Sequence, residues 1–453
     1  MSIAQNMENL TGKKILVLGA GKSGLAAAKL AKSWGASCAI YDDSDFIPPT
    51  DLKCYFKDPG QIDVSQFDLT IVSPGISLEH PLVKASLEKN IPVKAELEFA
   101  LTGIDAKIVA VTGTNGKSTT VSLIHHMLKS AGLKSVLAGN IGLPLSAVWD
   151  EAKNADYLVL EISSFQMELC DNLKPDVAIW LNLTEDHLSR HKTMEVYSAL
   201  KLKLFENLKE NGVAIYNASD SLIKRAIEES HKLKARHDIK YKVFSSSIDK
   251  DVDGWFDSAK IVVSMDGTKS SIAVEDQNLV GEHNYENIAA SLLTTLSLGA
   301  DSSAMINAVK SFKPLKHRLQ LVRKFKGVEY YNDSKGTNVD SSIKAIMSFT
   351  RPLIWIAGGY DKGLPFTPLA PYVHSKVKEM ILIGDTAPRI KEELGNSISS
   401  ISMAKDLGDA VKIAKERAQE GDVVLLSPAC SSYDMFKDYE HRGDVFIGEV
   451  MKL

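Results

Sequence analysis

The sequence predicts an α/β chain of three successive domains, each built on parallel sheet. Two observations carry that expectation: three stretches open with an apolar strand, at residues 13, 107 and 328, and strands alternate with helix-like segments after each opening. The length of 453 residues also leaves room for roughly two to four domains of ordinary size.

The first stretch starts with KKILVLG at 13–19. A helix-like segment follows at 24–34, then strands at 36–41 and 68–72, the latter ending in the turn Ser73-Pro74-Gly75. The second starts with KIVAVT at 107–112. A helix is expected from Lys117, with further strands at 157–162, 177–182 and 212–216. Residues 238–280 alternate in short pieces and read as a β-rich insertion or edge. The third stretch follows Lys313-Pro314, with strands at 328–332, 353–357, 379–383 and 422–427. Boundaries near 96 and 313 give domains 1–96, 97–313 and 314–453. Residues 197–208, YSALKLKLFENL, alternate like a strand over 199–205. Their Leu, Lys, Glu and Ala content, with Asn211-Gly212 as a stop, favours a helix.

Composition narrows the function classes. Hydrophobic residues make up 44% and charged residues 24%, enough for substantial cores. A net charge of −4 without a long basic run argues against nucleic-acid or anionic-membrane partners. Cys38, Cys54, Cys170 and Cys430 are far apart and form no CxxC, which speaks against a disulfide framework and fits a reducing cytoplasm. Residues 1–10 lack the apolar core of a signal peptide, and no apolar run nears the ~18 residues of a membrane span.

Residues 109–120 read VAVTGTNGKSTT: a strand, two glycines, a lysine, hydroxyls and a helix, in that order. Backbone N–H groups at such a helix start cradle phosphate, helped by the helix dipole. Lys117 brings charge to the outer phosphates, and Ser118 or Thr119 a hydroxyl to Mg²⁺. The strict Walker pattern asks for Gly where Val111 stands; a glycine turn with a solvated lysine is the competing reading. Gly19-Ala20-Gly21-Lys22-Ser23-Gly24 fits GxGxxG after a strand, with Asp42 and Asp43 after the next one. Alone it indicates an NAD enzyme. Beside an ATP loop it could instead hold the diphosphate of a nucleotide-linked substrate, or be a structural turn. Glu161 ends one strand, and Glu185, Asp186 and His187 follow another, where ligands of parallel sheets bind. Spacing alone singles out neither Lys201 nor Lys203.

Taken together, the segments GTNGKST at 113–119, GNIGLP at 139–144, LEISSFQ at 160–166, NLTEDHLSRH at 182–191, GEHNYEN at 281–287 and KHRLQ at 316–320 resemble the Mur ligases of peptidoglycan precursor synthesis. NDSKGTN at 332–338, AGGYDKG at 357–363 and the segment 425–446 resemble the D-glutamate-adding branch. The DNPR motif of diaminopimelate- or lysine-adding relatives is absent, and the amino-terminal glycine unit does not suit folylpolyglutamate synthases. The resemblance implies a Rossmann-like N-terminal domain for the UDP part of the substrate, a central P-loop ATPase-like domain, and a Rossmann-like C-terminal domain for the amino acid.

It further implies an ATP- and Mg²⁺-dependent amide ligase acting through an acyl phosphate on UDP-N-acetylmuramoyl-L-alanine and D-glutamate, as a cytoplasmic monomer. Gly113, Thr114, Asn115, Gly116, Lys117, Ser118, Thr119, Asn287, Arg318 and Asp333 would bind ATP. Ser118 and Glu161 would hold one Mg²⁺, and His187 would lie by a second and by the reacting centre. Lys201, matched through Tyr197–Lys201 after TEDH, would be the family's carbamylated lysine, with Lys203 as its rival. Ala20, Lys22, Ser23, Asp42, Ser73 and Asn140 would contact the UDP-linked substrate, and Lys335, Thr337, Lys362, Ser432 and Tyr439 the D-glutamate. Tyr360 departs from the family pattern, which often has a small residue there.

Overall fold

The structure, a computed structural model, describes residues 10–44, 53–56, 58–246, 252–257, 259–265, 267–363 and 365–453. The polar opening residues 1–9, the side chain of Cys54 and parts of the β-rich stretch 238–280 lie outside the described residues. The chain divides into two compact units. One is Met1–Asp276 with Glu286–Ser311; the other is Gln277–Tyr285 with Phe312–Leu453.

The first unit holds two sheets. β1 (Lys14–Leu18), β2 (Ser37–Asp42), β3 (Lys53–Phe56), β4 (Leu69–Val72) and β5 (Val93–Ala95) lie in the order β3-β2-β1-β4-β5. All pairs are parallel. Strand order reverses between β1 and β4, which opens a crevice at their carboxyl ends.

The second sheet has nine strands: β6 (Lys107–Thr112), β7 (Ser135–Gly139), β8 (Tyr157–Glu161), β9 (Val177–Trp180), β10 (Val213–Asn217), β11 (Lys240–Phe244), β12 (Gly254–Phe256), β13 (Lys260–Met265) and β14 (Thr268–Ala273). β6 lies between β8 and β9, parallel to both, so the ends of all three open on one crevice. Every residue of β8 is buried, which explains its unbroken apolar run. The alternating pieces of 238–280 include the antiparallel hairpin β13–β14 at the sheet edge.

Residues 194–206 form a helix, Met194–Glu206, started by Thr193, whose hydroxyl accepts from the Val196 N–H. It buries Tyr197, Lys201, Leu204 and Phe205. That is a helical stripe, and packing of it overrides the strand-like alternation. One apolar core underlies both sheets. Its bridge is aromatic: Trp34 stands 5.0 Å from Phe99 and 5.1 Å from Trp149, centroid to centroid.

The second unit carries β15 (Gln320–Phe325), β16 (Val328–Asn332), β17 (Leu353–Ala357), β18 (Val377–Leu382), β19 (Ile401–Met403) and β20 (Val423–Leu426), in the order β15-β16-β20-β17-β18-β19. β15 pairs antiparallel and the rest parallel. β20 inserts between β16 and β17, so the loops after those three strands come side by side. Residues Gln277–Tyr285 group with this unit, ahead of the start that the sequence places at 314. There Val280 joins the core, and a Cβ on Gly281 would stand 2.1 Å from Ser348 Oγ.

Among the described residues no helix is long and apolar enough to cross a membrane. Cys38, Cys170 and Cys430 are buried free thiols.

Candidate active site

The loop after β6 needs its glycines. Gly113 and Gly116 have φ of +149° and +87°, and a Cβ on Gly116 would lie 2.5 Å from Asn287 Oδ1. Side chains from distant segments brace the loop. Asn182 holds the Asn115 backbone both ways: its Oδ1 accepts from Asn115 N–H at 2.8 Å and its Nδ2 donates to Asn115 O at 3.0 Å. Thr114 Oγ1 accepts from Thr184 N–H at 3.0 Å and lies 3.2 Å from the Tyr197 hydroxyl. Thr120 donates to Asn287 Oδ1 at 3.2 Å. The helix Lys117–Ser130 begins here, with Ser118 and Thr119 buried in its first turn.

Two amines meet one carbonyl. Lys117 Nζ donates to Gly113 O and Thr114 O, each at 2.8 Å. Lys201 Nζ donates to the same Gly113 O at 2.9 Å and sits over the Tyr197 ring at 4.4 Å. Lys201 is 1% exposed. Burial, and secondly the charge of Lys117, push its amine well below the ordinary lysine range, against Asp186 and Glu161. Lys203 is directed elsewhere, to Met167 O at 3.0 Å and to Asp171. Residues two apart on a helix do not share a face.

Glu161 is buried at the end of β8. Its Oε1 accepts from Asn140 Nδ2 at 2.8 Å. The backbones are tied too, through Asn140 N–H to Glu161 O at 2.9 Å. A Cβ on Gly139 would fall 2.3 Å from that oxygen, so glycine is required where β7 meets β8. Asn140, expected at the UDP-linked substrate, is thus placed beside Glu161. His187 has φ +56°, donates its N–H to Asp186 Oδ1 at 2.9 Å, and packs 4.8 Å from the Phe165 ring. The loop 113–119, Glu161, Asp186 and His187 thus come from the ends of three neighbouring strands, and the helix Met194–Glu206 brings Lys201 to them.

In the first sheet, the glycine turn is close-packed: a Cβ on Gly24 would stand 1.8 Å from Gly19 O. Asp42 Oδ2 accepts the Ala20 N–H at 2.7 Å, and Ser44 donates to Oδ1 through N–H and hydroxyl at 2.9 and 2.6 Å. Burial opposes ionising Asp42, but those hydrogen bonds outweigh it and hold the carboxyl below the usual range. Asp43 is taken by Tyr41 and His80. Ser73 donates to Gly19 O at 3.4 Å. Ala20, Asp42 and Ser73 thus meet at one turn, while Lys22 and Ser23 begin the helix Lys22–Ser33.

In the second unit, Asp333 accepts from Ser427 Oγ at 2.8 Å and Leu319 N–H at 3.3 Å. Burial pushes it up to about 6, against Ser427 and the Arg318 charge. The three loops are stitched by Gly358 N–H to Pro428 O at 2.9 Å and Ala429 N–H to Gly336 O at 3.0 Å. Thr337, Lys362, Tyr360 and Cys430 line one cavity among them. Lys335 Nζ lies 5.2 Å over the Tyr439 ring, and Ser432 is buried nearby in sequence to both Cys430 and the helix Tyr439–Met451.

Sequence reasoning passed over Arg442. It is fully buried and donates to Ser334 Oγ at 3.0 Å, Ser334 O at 2.8 Å, and Cys430 O and Ser431 O at 3.1 Å each. A signal existed: Arg442 shares the buried helix face with Phe446 and Val450, and a charge on an apolar stripe asks for buried partners. Asn182 and Tyr197 carried no such signal, because their partners lie far away in the chain.

Comparison with known proteins gives three family matches along the chain. Family models match in succession: the Mur ligase MurD-like N-terminal domain at residues 13–95, the Mur ligase middle domain at 111–295, and the Mur ligase, glutamate ligase domain at 317–430. The UDP-N-acetylmuramoylalanine--D-glutamate ligase of Thermoanaerobacter sp. (strain X514) is 39% identical over 458 residues, covering 98% of this chain and 99% of its own. That of Geotalea daltonii is 40% identical over 456 residues, covering 98% of each. Among solved structures, the MurF ligase of Thermotoga maritima in complex with ADP aligns with a TM-score of 0.62 at 20% identity, over 99% of this chain and 97% of its own. MurF of Acinetobacter baumannii aligns with a TM-score of 0.64 at 14% identity, over 100% and 93%. These two show the shared fold.

Proposed function

The chain belongs to the Mur ligase family, and from that premise we propose that it joins D-glutamate to UDP-N-acetylmuramoyl-L-alanine at the expense of ATP. The observation that carries the choice of amino acid is the likeness to D-glutamate ligases over 98% of the chain. It includes the third-domain segments that would recognise the amino acid. We assign residues 1–96 to the UDP-linked substrate, 97–313 to ATP and 314–453 to D-glutamate.

A carboxylate oxygen is a poor leaving group, so the amide cannot form directly. In the proposed first step, the alanyl carboxylate attacks the γ-phosphorus; a P–O bond forms and the bond to the β-phosphate oxygen breaks, giving acyl phosphate and ADP. In the second, the amine nitrogen attacks the acyl carbon, phosphate leaves and the nitrogen loses a proton. The first step crowds anions, so donors and cations must offset their repulsion. The N–H groups of 113–119 and Lys117 would do so for the phosphates. In the second unit, Arg318 and Asp333 are assigned to ATP. Lys335, Thr337, Lys362, Ser432 and Tyr439 are assigned to the two D-glutamate carboxylates, which want cations and hydroxyl or N–H donors.

Ser118 and Glu161 have the chemistry for Mg²⁺, which takes one or two carboxylates along with phosphate oxygens. Bound there, Mg²⁺ would neutralise charge on the transferring phosphoryl group. His187 and a carbamate on Lys201 are assigned to a second ion. Carbamylation needs a neutral amine, and the burial of Lys201 beside Lys117 favours one. The family resemblance implies a monomer. ATP as energy source and free thiols favour the cytoplasm.

An amino-acid panel tests the reading, with the UDP-linked acceptor present and ADP release as readout. D-Glutamate is expected to support turnover. Turnover with L-lysine or meso-diaminopimelate, and none with D-glutamate, would overturn it.

A further inference from the structure

The short helix Leu188–His191 lies one residue past His187, and one of its side chains reaches out of its own sheet. Arg190 Nη2 donates to Ile76 O at 2.8 Å, and Nη1 to Pro74 O and Gly75 O at 3.3 and 3.4 Å. Those carbonyls form the turn after β4, whose first residue, Ser73, donates to Gly19 O on the glycine turn. The other edge of the guanidinium is held by Glu168: Nε donates to Oε1 at 3.0 Å and Nη2 to Oε2. Its face covers the Phe165 ring at 4.6 Å, and that ring packs 4.8 Å from His187. Glu168 also faces His191 Nδ1 at 3.6 Å.

His187 occupies the left-handed region without being glycine. Such a backbone persists only where its surroundings over-determine it. Asp186, Phe165 and the helix 188–191 do so from within the second sheet. Arg190 joins that helix to the first. Its planar fork of five donors allows contact with three carbonyls and a carboxylate at once, which a lysine cannot reproduce.

We propose that Arg190 is a positioning residue that couples the seating of the UDP-linked substrate on the turn 73–76 to the setting of His187. The substrate is bound at one sheet and reacts at the other. Its carboxylate attacks in line only if the two are held in register, and small misplacements there are costly. Arg190 touches neither reacting group; it holds the turn against the helix beside them.

The proposal rests on the ligase reading, and the test separates the two. In the full-length enzyme, Arg190→Lys is expected to lower kcat about tenfold and raise KM for UDP-N-acetylmuramoyl-L-alanine about tenfold, with KM for ATP and D-glutamate within about twofold of wild type. A merely structural role would reduce the active fraction and leave all three KM values unchanged, which would overturn the proposal, as would wild-type kinetics. Glu168→Gln, which leaves the turn contacts in place, is expected to show the same split at smaller amplitude. It decides the matter if Arg190→Lys does not fold, since an unchanged KM for the UDP-linked substrate there also overturns the proposal. Absence of turnover in the wild type would sink the ligase reading instead. Arg190 would then be judged on the calorimetric Kd for the UDP-linked substrate, where an unchanged value in Arg190→Lys counts against it.

Discussion

Lys201 and Lys203 lie two residues apart, yet one is at the phosphate loop and the other on Met167 O and Asp171. The difference rests on side-chain direction around a helix, which only the packed stripe Tyr197-Lys201-Leu204-Phe205 reveals. Lys201→Ala is expected to lose ligation by a factor on the order of 10² or more, with partial rescue by short carboxylic acids that replace the carbamate. Wild-type activity in that variant would remove the assignment, and so would an unmodified lysine by mass spectrometry of active enzyme. Asp333 gives a pH prediction. Its folded-state value, about 6, lies above the ordinary 3.8, so its contribution to stability is full below about pH 4 and is lost as pH rises through about 6. The displacement is worth on the order of 3 kcal/mol. Asp333→Asn is expected to flatten the stability profile across that window and to impair ATP use. Denaturation midpoints at pH 4 and pH 7 that fall in parallel for both proteins would contradict it. Asp42 adds a residue-level surprise: an acid placed by spacing for a ribose hydroxyl closes the Ala20 N–H of its own turn.

Strand, glycine turn and helix form a unit at β1, where the turn approaches the helix so closely that a methyl group has no room. Gly24→Ala puts a Cβ 1.8 Å from Gly19 O. It is expected to destabilise by about 1–3 kcal/mol or more, and to weaken the UDP-linked substrate selectively. Unchanged affinity by calorimetry would detach this turn from substrate binding. The longer strands were legible from apolar runs, because strands buried on both faces leave an unbroken apolar signal. β3, β5, β7, β15 and β19 were not. They are short or lie toward sheet edges, where half-exposed residues blur the pattern, as the burial of Val93–Ala95 and Ile401–Met403 illustrates. The helix Met194–Glu206 was legible despite a period of two over 199–205, because its Leu, Lys, Glu and Ala content and the Asn211-Gly212 stop favour a helix.

At the scale of the molecule, the first unit is one body because the Trp34–Phe99–Trp149 cluster carries the core from one sheet to the next. Trp149 also donates to Thr102 O at 2.9 Å. Trp149→Ala is expected to cost about 3–5 kcal/mol, seen in calorimetry as a lowered transition; an unshifted thermogram would argue against a shared core. What the sequence determined by itself was local order: the strand-glycine-helix openings, the loop 113–119, the segments around Glu161 and His187, and three successive sheets. These are set by backbone geometry and hydrogen bonds between near neighbours in the chain. Tertiary structure alone decided that Lys201 meets Gly113 across 88 residues, that Asn140 holds Glu161, that Arg190 spans two sheets, and that Gln277–Tyr285 joins the second unit. A buried side chain takes its partners from whatever segment packs against it, and that packing is settled by apolar contacts far apart in sequence, which no local pattern encodes.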